Sequence, residues 1–245
     1  MSFDPYSNLV GGFSANDGSI DFYLRINALI KSSDTVLDLG AGRAAWFEDD
    51  TCDTRKGVRL LKGKVAKVIA ADLDEIVLKN NASDEQIVIT NGKIGVDEKS
   101  VDIVIADFVL EHIADPKEFV EQVDFVLKEG GWFCARTPHK ISYVAIIASL
   151  IGNKFHSKVL SKVQPNRQEI DVFPTAYKQN TMGAIKTHFD GWNHHSFIFR
   201  CDPSYYFRRK TLYRIQELFH RFMFKEFSGN IFVFCLLYTS DAADE

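Results

Sequence analysis

The sequence predicts an α/β fold, with a parallel sheet covered by helices on both faces. Short apolar runs alternate with helical patterns along the chain, which is the order of strand–helix–strand units. The first such run, Thr35-Val-Leu-Asp-Leu-Gly40, passes into a glycine turn where no Cβ blocks approach to the backbone. A second run closes on an aspartate, Asp72. The length of 245 residues suits one such domain, and the 46% hydrophobic content is enough for its core.

In chain order, Asp17 or Ser19 is placed to cap a helix reaching Lys31, with Phe22, Leu24, Ile26, Leu29 and Ile30 as its buried face. Strands follow at residues 35–40, 65–71, 86–90, 101–106 and 131–136, with a helix over 116–127. Residues 140–192 lose this pattern and read as a helical, partly irregular insertion. It follows the fifth strand, the natural place for a substrate lid. Its Tyr143, Phe155, Phe173, Tyr177 and Trp192 fit an organic or lipid-like acceptor and fit a packed lid equally well. Two late strands, 195–201 and 230–234, flank an amphipathic helix over 210–223, where Leu212, Ile215, Leu218, Phe219 and Phe222 recur at helical spacing. Residues 235–245, CLLYTSDAADE, resemble the translation of a transposon-end adapter used in sequencing libraries, against the alternative of an ordinary acidic tail. The expected organisation is therefore one domain over residues 1–234 and a non-native tail over 235–245.

A net charge of −4 produces no global basic field, so a nucleic-acid partner is not expected. Cys52, Cys134, Cys201 and Cys235 form no CxxC pair and read as reduced thiols of a cytoplasmic protein. The start, MSFDPYSNLVGG, lacks a basic, apolar leader, and the longest apolar run is too short to span a bilayer. No His/Cys/Asp spacing supports a metal site.

The chemistry concentrates in Asp38-Leu-Gly40-Ala-Gly42-Arg-Ala44. Taken alone this turn also fits a dinucleotide fingerprint or a plain turn. Asp72 is suited to accept both hydroxyls of a ribose, or to end a strand; Asp74 is the better helix cap. Asn91-Gly92 reads as an adenine-edge contact or as a simple turn. Asp107-Phe108-Val-Leu-Glu111-His112 follows the fourth strand, where His112 is a candidate base and Glu111-His112 otherwise a pocket wall.

The ordered pieces VLDLGAGR, VIAADLD, SVDIVIADFVLEHIADP and FVLKEGGWFCARTP resemble the class I S-adenosylmethionine-dependent methyltransferases, in particular the small-molecule group with VLDLGxG and LEH motifs. The resemblance is strongest over residues 35–138. It implies a Rossmann-like, three-layer, mostly parallel sheet with an antiparallel last strand, and S-adenosyl-L-methionine as cofactor. It implies that Asp38, Gly40 and Gly42 hold the amino-acid end, that Asp72 with Leu73 holds the ribose side, and that Asn91 and Gly92 lie near the adenine. Asp107 and Phe108 then lie beside the sulfonium, and the methyl acceptor is a small molecule or lipid-like. Ala44 replaces a frequent third glycine, and Asn91 replaces a usual acid. The competing readings are an NAD(P)-dependent oxidoreductase, whose ribose acid sits about twenty residues beyond the turn, closer than Asp72, and a non-catalytic cofactor-binding partner protein of the same fold.

Overall fold

The computed structural model describes residues 10–143, 145, 146, 175–203, 206 and 209–238. Its strands are β1 (Thr35–Leu39), β2 (Lys67–Asp72), β3 (Glu85–Val88), β4 (Val101–Asp107), β5 (Leu127–Pro138), β6 (Asn193–His194), β7 (Phe197–Arg200) and β8 (Gly229–Leu236). They form one sheet in the order β3-β2-β1-β4-β5-β8-β6, with β7 also paired to β8. β1 to β5 are parallel, while β8 runs antiparallel to β5 from Asn230 opposite Pro138 to Leu236 opposite Trp132. The helices are α1 (Gly18–Leu29), α2 (Ala45–Asp49), α3 (Asp53–Arg59), α4 (Pro116–Val126), α5 (Met182–His188), α6 (Lys210–Phe222) and α7 (Lys225–Ser228).

Alternation along the strands builds a core on each face, as a sheet covered on both sides requires. Leu37, Val104, Phe133 and Val233 bury one face with Ile185 and Phe189 of the α5 region and Val123 of α4. Val36, Ile103, Ile105, Phe232 and Phe234 bury the other beneath Phe22 and Ile26 of α1. Phe197 and Phe199 of β7 pack into this second core with Phe232 and Phe234: Phe199 stacks on Phe232 at 4.7 Å, and Phe22 meets Phe232 edge-on at 5.4 Å. Local signals set the helix starts. The Asp17 carboxylate accepts from the Ser19 and Ile20 N–H groups at 3.0 Å. Asp115 caps α4, with Pro116 in its first turn.

Several expectations are corrected. Leu24 is exposed, and Tyr23 takes the buried place beside Phe22 and Ile26. The strand expected over 195–201 is shortened to β7, and a break at His195 and Ser196 separates it from β6, which lies before the expected range. The Ser196 hydroxyl accepts from Phe234 N–H at 3.3 Å at the break, replacing a ladder bond with a side-chain bond. Two short helices, α2 and α3, follow the glycine turn; between them Cys52 N–H donates to Asp50 Oδ1 at 2.9 Å, and Cys52 caps α3. β8 runs past Phe234 to Leu236: Cys235 is fully buried, and Leu237 N–H donates to Gly131 O at 3.0 Å. Residues 239–245 lie outside the described residues, as do Phe155 and Phe173 and most of the expected insertion. No described helix is long and apolar enough to cross a membrane.

Phe232 is wholly buried and touches both Phe22 and Phe199. Phe232→Ala is expected to lower unfolding stability by about 3–5 kcal/mol in urea titration, since the cavity lies between a strand and a helix that cannot collapse onto it.

Candidate functional site

The carboxyl ends of β1, β2, β4 and β5 converge on the turn that leaves β1. Gly40, Gly42 and Ala44 all have left-handed φ, at +67°, +50° and +55°. At Gly40 a side chain is sterically excluded, because its Cβ would lie 2.5 Å from Val109 Cγ2. At Gly42 a Cβ would meet no protein atom within 4 Å. The turn borders open space there while its backbone is tied down behind. Gly40 N–H donates to Ala71 O at 2.7 Å, Gly42 N–H donates to Asp72 Oδ2 at 2.9 Å, and Asn80 Nδ2 donates to Gly42 O at 3.0 Å. The other oxygen of Asp72 accepts from Asp74 N–H at 3.0 Å, and Asp74 caps the short 3-10 turn Glu75–Lys79 as expected. Asp72 therefore orients the loop as well as closing its strand.

Behind the turn lies a cluster in which Arg136, Arg59 and Tyr23, none of them expected at the site, gather around Asp107. Arg136, buried within β5, clasps Asp107 with Nε–Oδ1 at 2.5 Å and Nη2–Oδ2 at 2.9 Å. Arg59 reaches the same carboxylate at 3.2 Å, and Tyr23 donates its hydroxyl to it at 3.2 Å. Burial alone would raise the Asp107 carboxyl, but Arg136, Arg59 and these hydrogen bonds outweigh it and hold it below the usual range. Arg59 also stacks on Trp46, 4.6 Å from the ring centroid, and its Nε has no hydrogen-bond partner among the described residues. A cleft between Tyr23, Asp38, Ala44, Trp46, Arg59 and Asn80 runs beneath the turn. Burial pushes the Asp38 carboxyl up to about 7; Arg59 opposes the shift, while Asp107 and Asp72 reinforce it. An arginine ending the apolar run Trp132-Phe-Cys-Ala-Arg136 was a legible signal; Arg59 and Trp46 carried none.

The other expected residues are distributed as follows. Phe108 has φ +59° and is 39% exposed at the carboxyl edge, with the Arg136 guanidinium 4.6 Å from its ring centroid. Leu73 is exposed beside Asp72. Asn91 and Gly92 form an exposed turn with φ +53° and +71°, closed by Lys93 N–H to Thr90 O at 3.0 Å, against Glu118 of α4. His112 is half-buried on the 3-10 turn Leu110–His112. Glu111 is buried; its Oε2 accepts from Thr137 Oγ1 at 2.8 Å, and its backbone carbonyl accepts from Ala176 and Tyr177 N–H. It is part of the scaffold that ties the segment after residue 174 to the sheet. Asn180 joins the same network, donating to Thr137 Oγ1 at 2.6 Å and to Pro138 O at 2.9 Å. The neighbouring Gln179 is wholly buried, and neither of its amide atoms has a partner among the described residues. Among the described residues no group of three or more His, Cys, Asp or Glu side chains is placed to hold a metal ion.

The raised Asp38 carboxyl has a consequence for ligand-free stability. It is protonated in the fold up to about pH 7 but ionises in the unfolded chain near 3.8, so its contribution is fully present below 3.8 and lost as pH rises to about 7. Asp38→Asn, which cannot ionise, is expected to raise the melting temperature at about pH 8 and to change it little below about pH 4. Equal melting temperatures across this range would contradict the shift.

Comparison with known proteins fits this geometry. A family model described as a methyltransferase domain matches residues 16–197. A protein of Mycolicibacterium smegmatis described as an S-adenosylmethionine-dependent methyltransferase is 28% identical over 117 residues, which are 46% of this chain and 45% of that protein. This chain thus matches less than half the length of that relative. Among solved structures, geranyl diphosphate C-methyltransferase of Streptomyces coelicolor, crystallised with S-adenosyl-L-homocysteine, superposes with a TM-score of 0.54 at 12% identity, over 90% of this chain and 75% of that one. An S-adenosylmethionine-dependent methyltransferase of Mesorhizobium loti gives a TM-score of 0.51 at 16% identity, over 91% of this chain and 100% of that one. At these identities the likeness to the two structures is one of fold. The chain belongs to the methyltransferase-domain family and has the Rossmann-like α/β fold of the S-adenosylmethionine-dependent methyltransferases.

Proposed function

We propose that this protein transfers a methyl group from S-adenosyl-L-methionine to a small organic or lipid-like acceptor. The observation that carries the reading is the turn at Gly42: open in front, with left-handed φ, and fastened behind to Asp72. Such a turn presents backbone to a ligand at close range. The charges beneath it suit the amino-acid end of the cofactor. Asp38, raised by burial and by its acidic neighbours, gains most from a nearby ammonium. The unpartnered Nε of Arg59 is a donor suited to a carboxylate.

Asp72 retains lone pairs for a ribose after accepting its two backbone N–H groups. Leu73 borders that position, with Asn91 and Gly92 toward the adenine. Phe108 covers the reacting end. Asp107, its carboxylate taken up by Arg136, Arg59 and Tyr23, acts by holding Arg136 and Phe108 in place rather than by touching the ligand. The bound cofactor supplies an electrophilic methyl group and a thioether leaving group that needs no proton. The residues around it have only to align the acceptor and exclude water. His112 is the candidate base for a weakly acidic acceptor hydroxyl. Gln179 is the acceptor-side contact, because a buried amide without partners is costly and an acceptor polar group would relieve it. The four free cysteines support a reducing compartment, and we place the protein in the cytoplasm.

Incubation with labelled S-adenosyl-L-methionine and a metabolite extract is expected to yield S-adenosyl-L-homocysteine and a labelled organic product. Donor binding without either product would favour the non-catalytic partner reading. Gly42→Val is expected to abolish donor binding in calorimetric titration of a folded protein, because the new side chain enters the open space; wild-type affinity would remove the turn from the site. Asp72→Ala is expected to weaken donor binding by about 1.5–3 kcal/mol. It should also lower the melting temperature, because Gly42 N–H loses its acceptor. Ala44→Gly relieves a left-handed alanine and is expected to be tolerated.

A further inference from the structure

α6 is the most amphipathic described helix, yet its apolar stripe faces away from the protein. Ile215, Leu218, Phe219 and Phe222, spaced to lie on one side of a helix, are 60%, 58%, 50% and 79% exposed, and Phe224 just beyond is 81% exposed. The helix is held to the body by its opposite side. There Tyr213 and His220 are buried, and His220 Nδ1 lies 3.1 Å from Cys201 O. Basic side chains lie along one edge of the stripe: Lys210, Arg214 and Arg221 follow one another at helical spacing, and Lys225 opens α7. Residues 208–226 carry six basic side chains and two acidic ones, in a chain whose net charge is −4.

We propose that α6 and the turn leading into α7 form a docking surface for an anionic phospholipid membrane. Outward-facing phenylalanine and leucine beside a basic flank are the composition of a helix that lies in the interface plane, with its apolar side among acyl chains and its cations at the headgroups. The local positive charge selects anionic lipid, against the sign of the whole chain. The position fits the same role. α7 runs directly into Gly229, which begins β8 beside the carboxyl end of β5, where His139 N–H reaches Gly229 O at 3.4 Å. Docking by α6 therefore brings the sheet edge that carries Gly42, Asp72 and Phe108 close to the membrane. The inference stands on the exposed helix and does not depend on which acceptor is methylated.

The test is flotation of the whole protein with phosphatidylcholine vesicles, with and without about one-third phosphatidylglycerol. Binding is expected only with the anionic lipid, and it should weaken as salt is raised. The double variant Arg214→Glu/Arg221→Glu is expected to lower vesicle affinity by about tenfold or more. Phe222→Ser/Phe224→Ser is expected to lower it comparably. Both pairs are exposed, so the melting temperature and donor affinity should stay unchanged, which separates loss of docking from loss of fold or of the methyl-donor site. Absence of binding to anionic vesicles, or equal binding to neutral ones, would overturn the proposal. So would a concentration-dependent dimer that Phe222→Ser/Phe224→Ser dissolves, since the stripe would then be the contact between two copies.

Discussion

The buried pairing of Arg136 with Asp107 organises the carboxyl edge of the sheet. Both side chains are 5% exposed, so each charge would be costly without the other. The cost is met by fixed geometry: two nearly parallel N–H···O contacts, a third from Arg59 and a fourth from Tyr23. Because Arg136 belongs to β5 and Asp107 to β4, the pair locks the ends of two central strands together. Because Arg59 ends α3 and Tyr23 lies in α1, it also draws these two helices onto the same point. The backbone follows: Phe108 N–H donates to Arg136 O at 2.9 Å, and the Phe108 ring lies against the guanidinium.

The glycine turn depends on a second carboxylate. A loop with three left-handed residues in five would be conformationally expensive if its N–H and C=O groups were also unsatisfied. Here β2 answers for it. The Ala71 carbonyl and the Asp72 carboxylate take the Gly40 and Gly42 N–H groups, and Asn80 takes the Gly42 carbonyl. The loop is rigid behind and open in front, the arrangement that a closely bound ligand requires. Burial raises the Asp38 carboxyl, with Asp107 and Asp72 reinforcing the shift against Arg59, so a cation bound beside it would favour its ionised form.

The two faces of the molecule meet solvent differently. The sheet buries both of its sides, with alternate residues of β4 and β8 feeding separate cores. α6, between β7 and β8, does the reverse. It anchors through Tyr213 and His220 and leaves its apolar residues outside. An exposed stripe of this kind calls for a partner, and its basic border complements an anionic one.

Much of the fold was determined by sequence alone, because the signals are local. The runs that became β1, β2, β4 and β8 are apolar for most of their length, and Asp17, Asp74 and Asp115 cap the helical segments their positions indicate. Gly40, Gly42 and Asp72 were legible for the same reason: a turn after a strand and an acid closing the next are patterns of adjacent residues. What tertiary structure alone decided involves residues distant in sequence. Nothing near Arg59 or Tyr23 indicates that both converge on Asp107. Helical spacing places Ile215, Leu218, Phe219 and Phe222 on one side of α6 but cannot say whether that side turns inward. Asp107 appeared free as a site residue until β5 brought Arg136 alongside it. Periodicity is a property of a segment, whereas orientation and ion pairing are properties of its neighbours, and only the packed sheet supplies the neighbours.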